Sequence, residues 1–320
     1  MIDFLLLILG FVLLIAGADY LVKGSSSIAK ILKVSDLIIG LTIVSIGTSA
    51  PELSVNVAAS LSNSPGMAFG NIAGSNIFNI LAITGIAAML RPINLKLSLL
   101  KIEIPFAVLA SLVLIFVAGD LFIDKSPGLI SRSDGMLLLL FFAIFIYYIF
   151  LSAKKGDINE SEAVEHGMKR YSVTISVLMI AGGLAALIYG GGLLVKSASS
   201  IAAKLGMNET LIGLTIVAIG TSLPELATSV VAALRGNSDI AIGNVVGSNI
   251  LNIFFILGVS GIIKPLPISA ESIPDAIIVT LSTLAVLLFA YIGKERRIGR
   301  IEGLILLLFY VVYTVYIIMR

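Results

Sequence analysis

Of 320 residues, 58% are hydrophobic and only 12% charged, about half the roughly 25% of a soluble domain, so the composition is that of a membrane protein. The formal net charge of +2 is too small to draw in nucleic acid. There is no cysteine, which excludes disulfides and thiolate metal sites, and the single His166 rules out a multi-histidine metal centre and a histidine-activated catalyst inside the membrane.

Ten apolar segments of the roughly 20 residues that a membrane helix needs are centred near residues 12, 47, 78, 109, 143, 184, 220, 251, 283 and 309. The first follows Met1-Ile2-Asp3 and lacks the basic start and small-residue cleavage site of a signal peptide, so it is expected to be retained. Asp3 and Asp19 bracket it near the two interfaces, with Asp19 open to the alternative of lining an access route. The second contains Gly47-Thr48-Ser49-Ala50-Pro51-Glu52 and ends in a tight turn at Ser62-Asn63-Ser64-Pro65-Gly66. The third carries Asn71, Ser75, Asn76 and Asn79, and the fourth opens on Lys101, Glu103 and Pro105, which places Glu103 at a helix entrance near the interface. After the fifth comes the only long polar connection, Lys154 to Arg170, too short to form a domain.

The sixth to tenth segments then repeat the first five. Gly220-Thr221-Ser222-Leu223-Pro224-Glu225 copies the first motif at an offset of 173, which holds without a gap from Gly10/Gly183 through Pro92/Pro265. Between Ile39 and Ile80, 25 of 42 positions are identical to their counterparts. Five segments per repeat is an odd number, so the second copy enters the membrane from the opposite side, an inverted arrangement that many secondary transporters use. The expected organisation is 1–153 as first repeat, 154–171 as linker and 172–320 as second repeat. With both termini outside, fifteen Lys and Arg fall on the cytoplasmic side, Arg91, Lys96, Arg235 and Arg297 among them. Six, including Arg132, Lys204 and Lys264, fall outside. That bias predicts a multi-pass cell-membrane protein with external termini and a cytoplasmic linker.

The repeated motif concentrates the chemistry. A carboxylate at mid-membrane costs about 2.5–3.5 kcal/mol even on lenient scales, and so marks a functional site. Pro51 and Pro224 have no N–H and clash with the carbonyl four residues back, freeing the carbonyls of Gly47 and Gly220. Irregular backbone at that depth survives where it is buried in protein or lines a watery cavity. Thr48 and Ser49 lie four and three residues before Glu52, which puts all three on one helix face, as do Thr221, Ser222 and Glu225. The next helix adds Asn71, Ser75 and Asn79, matched by Asn244, Ser248 and Asn252, while Gly70, Gly74, Gly243 and Gly247 let another backbone approach. Two carboxylates, amides, hydroxyls and carbonyls make an all-oxygen set suited to calcium, which takes six to eight oxygens, and poorly suited to magnesium or to soft metals. The alternative for the small residues, and for Asn76 and Asn249, is helix packing or backbone support.

The paired motifs GTSAPEL with GNIAGSNIFNI and GTSLPEL with GNVVGSNILNI resemble the α-repeats of the calcium/cation antiporter superfamily, in its prokaryotic sodium/calcium exchanger branch. The resemblance implies an all-α polytopic membrane protein of ten transmembrane helices as two inverted five-helix repeats. It further implies antiport of sodium against calcium by alternating access, with no enzyme activity, cofactor or obligatory protein partner. Carried onto this chain, it gives Glu52, Asn79, Glu225 and Asn252 as central metal ligands, with Thr48 and Thr221 adding calcium oxygens. Ser49, Ser75, Ser222, Ser248 and the carbonyls of Ser45 and Ala218 would serve flanking sodium sites. Some family members carry aspartate at the position of Asn252; here both amide positions are asparagine, which leaves two acidic ligands. Proton/calcium exchange through the same glutamates, potassium-dependent exchange and a passive cation channel are the competing functions.

Overall fold

The computed structural model describes residues 2–61, 65–119, 128–155, 170–206, 218–292 and 296–319. The polar segment 156–169 with His166, most of the turn after the second segment, and Lys125, Lys294 and Arg320 fall outside these.

The protein is an all-α membrane protein. Among the described residues, eight helices are long and apolar enough to cross a membrane: α1 (Ile2–Leu32), α3 (Met67–Leu90), α4 (Leu99–Ala118), α5 (Arg132–Lys154), α6 (Val173–Lys204), α8 (Ser238–Ile263), α9 (Ile273–Ile292) and α10 (Arg300–Met319). A ninth span is bent by 47° between α2a (Asp36–Thr48) and α2b (Ala50–Leu61). Its counterpart comprises α7a (Ala218–Gly220) and α7b (Leu223–Leu234), with 207–217 outside the described residues. The eight helices and the bent ninth span lie on nine of the ten apolar segments, and α7a with α7b lies on the remaining one. At 31 and 32 residues, α1 and α6 are about 46–48 Å long, well beyond the ~30 Å hydrocarbon core.

Burial separates the inside of the bundle from its rim. In their most apolar stretch, α3 and α8 are 83% and 78% buried, whereas α5 and α10 are 17% and 11% buried and present their remaining apolar side chains to lipid. Small residues set the close crossings, as expected where packing rather than hydrophobic exclusion drives association. Helices α1 and α6 run antiparallel along a ladder spaced by seven residues. A Cβ on Gly10 would sit 2.9 Å from Gly190 O, one on Gly17 2.8 Å from Gly183 O, and one on Gly24 2.8 Å from Ser176 O. Gly85 against Gly303 joins α3 to α10, and Gly258 against Gly135 joins α8 to α5 in the equivalent way. Gly243 and Gly247 receive the backbone of α2a at Leu37, Gly40 and Leu41, as their spacing predicts; for Gly70 and Gly74 no described atom lies that near.

Two short ribbons connect the repeats. Strand β1 (Ile93–Asn94) pairs antiparallel with β4 (Arg297–Ile298), and β2 (Leu129–Ile130) with β3 (Leu266–Pro267). The first ribbon shares its face with the ion pair Lys96–Asp239 (2.8 Å), with Arg91 Nη1 donating to Leu234 O (3.0 Å), and with the ion pair of Arg235 and Asp19. The second lies on the opposite face, beside Arg132 Nε donating to Ile262 O (3.2 Å). Charges assigned to one side by sequence thus gather on one face. Asp19 sits in that cluster, also bonding Lys23 at 2.6 Å, in keeping with the interfacial expectation.

Glu103 lies in the first turns of α4, at the helix entrance expected for it, but it is only 4% exposed and Tyr148 of α5 donates to its Oε1 at 2.6 Å.

Candidate cation site

The site is assembled where the two bent helices meet α3 and α8. Pro51 lies just past the break in α2, and the residue at the break, Ser49, has φ −83° and ψ 9°; Ser222 holds the same position with φ −90° and ψ 9°. Ser49 N–H donates to Ser45 O at 3.0 Å, and Ser222 N–H donates to Ile219 O at 3.1 Å. Helices α3 and α8 relax into π-helical turns at Phe78–Ile83 and Leu251–Ile256, each containing the asparagine of the motif. Such turns widen the helix and recur at functional sites.

Glu52, Glu225, Thr48, Ser45, Ser222, Ser248 and Asn79 have no exposed surface, and Ser49 and Asn252 are 1% exposed. Their contacts cross between the repeats. Ser49 Oγ donates to Glu225 Oε1 at 2.8 Å and lies 3.0 Å from Ser248 Oγ. Ser222 Oγ donates to Glu52 Oε1 at 2.8 Å and lies 3.1 Å from Ser75 Oγ. Each glutamate is thus served by the other repeat's serine, not by the one three residues before it. The i, i+3 expectation holds only along a continuous helix, and the break between Ser49 and α2b turns that hydroxyl away from Glu52.

Thr48 Oγ1 donates to Asn244 Oδ1 at 3.1 Å, and Ser45 Oγ to Leu41 O at 2.8 Å. Asn244 Nδ2 in turn reaches Ser229 Oγ at 3.0 Å and the backbone carbonyl of Glu225 at 3.3 Å. On the other side Asn56 Nδ2 holds the backbone carbonyl of Glu52 at 3.0 Å. Asn244 therefore braces the framework rather than the ion, and Asn56 is a supporting residue that sequence reasoning missed. Its signal was its place four residues after Glu52, on the same helix face. Thr221 lies close enough to hydrogen-bond Glu52, and the two carboxyls are near enough to repel one another.

What remains unsatisfied defines the chemistry. Buried polar atoms are almost always hydrogen-bonded, and each exception calls for an explanation. Of ten buried side-chain atoms without a hydrogen-bond partner among the described residues, Glu52 Oε2, Glu225 Oε2, Asn79 Oδ1 and Asn252 Oδ1 belong to the four expected central ligands. They fall into two pairs at the repeat offset of 173, and all are acceptors. Donors would have to come from water, or a cation would have to take their place.

The chain is similar to known proteins over nearly its whole length. The family described as sodium/calcium exchanger protein matches residues 2–151 and 175–319. A putative antiporter, CaxA, from Alkalimonas amylolytica is 41% identical over 298 residues, covering 90% of each chain. The sodium/calcium exchanger MaX1 of Methanosarcina acetivorans is 35% identical over 98% of each chain. Among solved structures, the sodium-calcium exchanger NCX_Mj, soaked with zero Na+ and Ca2+, superposes with a TM-score of 0.82 at 33% identity over 98% of both chains. The ten helices as two inverted five-helix repeats are the fold of that exchanger. On matches spanning nearly its whole length, the chain belongs to the sodium/calcium exchanger family.

Proposed function

We propose that this protein exchanges sodium for calcium across the membrane by alternating access, binding both ions in turn at Glu52, Glu225, Asn79 and Asn252. The observation that carries this proposal is that all four expected central ligands, in two pairs at the repeat offset, keep a buried acceptor oxygen without a donor among the described residues. Oxygen ligands of flexible geometry suit calcium, and sodium, of similar radius, fits the same cage. One calcium, or two sodium ions, neutralises the two glutamates, so the ions compete for the same charge. Occupancy moves the protein between its two facing states only to the extent that each ion binds them unequally. Ser49, Ser75, Ser222 and Ser248, with the hydroxyls of Thr48 and Thr221 and the carbonyls of Ser45 and Ala218, complete the coordination.

In this proposal residues 1–153 and 172–320 are the two repeats and 154–171 is a cytoplasmic linker. The termini lie outside, supported by the gathering of Arg91, Lys96, Arg235 and Arg297 on one face. Transport of this kind calls for no catalytic residue, cofactor or protein partner beyond the bilayer. The test is calcium uptake into vesicles with sodium, proton and potassium gradients imposed separately. Uptake driven by sodium alone is expected; uptake driven by a pH gradient without sodium, or dependent on potassium, would replace sodium/calcium exchange with the corresponding alternative. Single-channel currents would indicate a passive pore.

A further inference from the structure

Four asparagines of α3 and α8 form a closed set between the repeats. Asn249 Nδ2 donates to the backbone carbonyl of Asn76 at 3.2 Å, and Asn76 Nδ2 to that of Asn249 at 3.5 Å. The other end of each amide accepts. Asn252 Nδ2 reaches Asn76 Oδ1 at 3.0 Å, and Asn79 Nδ2 reaches Asn249 Oδ1 at 3.1 Å. The two ends of an amide are told apart by what they face, and a backbone carbonyl can only accept, so the end turned to it is the NH2. That points Oδ1 of Asn76 at Asn252, which must present its own NH2 there. Its oxygen is left facing away, buried and without a partner, and Asn79 is turned in the same manner by Asn249.

We propose that Asn76 and Asn249 are positioning residues, each anchored on the other's main chain and holding the opposite repeat's ligand amide oxygen-first. Neither touches the ion. The proposal rests on Asn79 and Asn252 being ligands, as put forward above. Without its clamp a ligand amide can rotate by a half-turn, and a cation then meets N–H donors instead of lone pairs. The arrangement also explains why two fully polar side chains beyond the ligands are tolerated deep in the bundle: Asn76 has no exposed surface and Asn249 is 3% exposed, yet both have all their ends engaged.

A double-mutant cycle separates positioning from simple support. Apparent calcium affinity, read from the calcium-induced rise in Tm of purified protein and from the KM of flux, is compared for Asn76→Leu in two backgrounds, wild type and Asn252→Asp. A carboxylate shows an oxygen whichever way it turns, so the clamp should matter only where residue 252 is an amide. Loss of the clamp is expected to weaken calcium about tenfold beside Asn252 and less than about threefold beside the aspartate. Equal losses in the two backgrounds would overturn the proposal, because a purely structural defect damages both alike. Asn252→Leu, measured in parallel, reports on the site itself. If it leaves affinity unchanged, residue 252 is no ligand and the underlying function reading fails. If it weakens calcium while Asn76→Leu does not, only the clamp is refuted. Should Asn76→Leu fail to accumulate, Asn76→Ser, too short to reach Asn252, takes its place, and Asn249→Leu with Asn79→Asp repeats the cycle on the other side.

Discussion

Replacing Glu225 with glutamine should cost calcium far more than sodium. The substitution is gentle on the framework. The introduced amide can keep its oxygen where Oε1 accepts from Ser49 at 2.8 Å, and Asn244 still holds the backbone carbonyl. Its NH2 then stands where the unpartnered Oε2 stood, so one ligand oxygen and one negative charge are removed together. At an effective dielectric of about 20, unit charges about 4 Å apart attract by about 4 kcal/mol, and a divalent ion by about 8. The carboxylate's own burial cost is common to both ions and cancels when they are compared. Discrimination between calcium and sodium therefore falls by up to about 4 kcal/mol, close to three decades. The assay is ion-induced stabilisation of the purified protein in sodium or calcium chloride, alongside calcium uptake by sodium-loaded vesicles. We expect calcium affinity to fall at least about a hundredfold more than sodium affinity, with uptake abolished. Parallel losses for the two ions would show that charge on Glu225 does not set the selectivity, and unchanged uptake would remove the residue from the site.

Ser49→Ala and Ser222→Ala each take the hydroxyl from the opposite repeat's glutamate, and each should weaken ion binding about tenfold or more, since a hydrogen bond to a charged group is worth about 1.5–3 kcal/mol. Combining Ser49→Ala with Glu225→Gln should add less than the two separate losses, whereas Ser49→Ala with Glu52→Gln should add nearly in full; affinities of the single and double variants check the crossing. Gly17→Leu forces a side chain into the 2.8 Å approach to Gly183 O and should destabilise the α1–α6 pair by about 1–3 kcal/mol, seen as a lowered Tm, while Gly182→Leu, which meets nothing within 4 Å, should not. Because the chain has no cysteine, single cysteines report topology directly: an impermeant thiol reagent added outside should label Lys264→Cys and spare Arg297→Cys.

The repeat and the paired buried carboxylates were legible in sequence because lipid penalises a buried charge so heavily that two copies beside prolines point to a cation. The ten spans were equally legible from apolar length. The cross-repeat wiring was not. Spacing assigns Ser49 to Glu52, and only the 47° bend shows that it serves Glu225. Asn76 and Asn249 looked like packing or backbone support. Each does bond the other's backbone, but the role of their remaining ends depends on which end of an amide faces a carbonyl, a property absent from any residue string. For Glu103, spacing gave the helix entrance but not the burial of its carboxyl against α5 with Tyr148 as donor.

The exchange of hydroxyls between the repeats has an ancestral consequence. Neither half contains a finished ligand set, since Glu52 relies on Ser222 and Glu225 on Ser49. A forerunner made of five helices alone could have built this cage only by associating with an upside-down copy of itself, which requires one gene product to insert in both orientations. Fusion of two such copies through a linker freezes the orientations and fixes their ratio at one to one. It also frees the halves to diverge at positions such as Ser45 and Ala218, where one product serving both roles would have had to compromise.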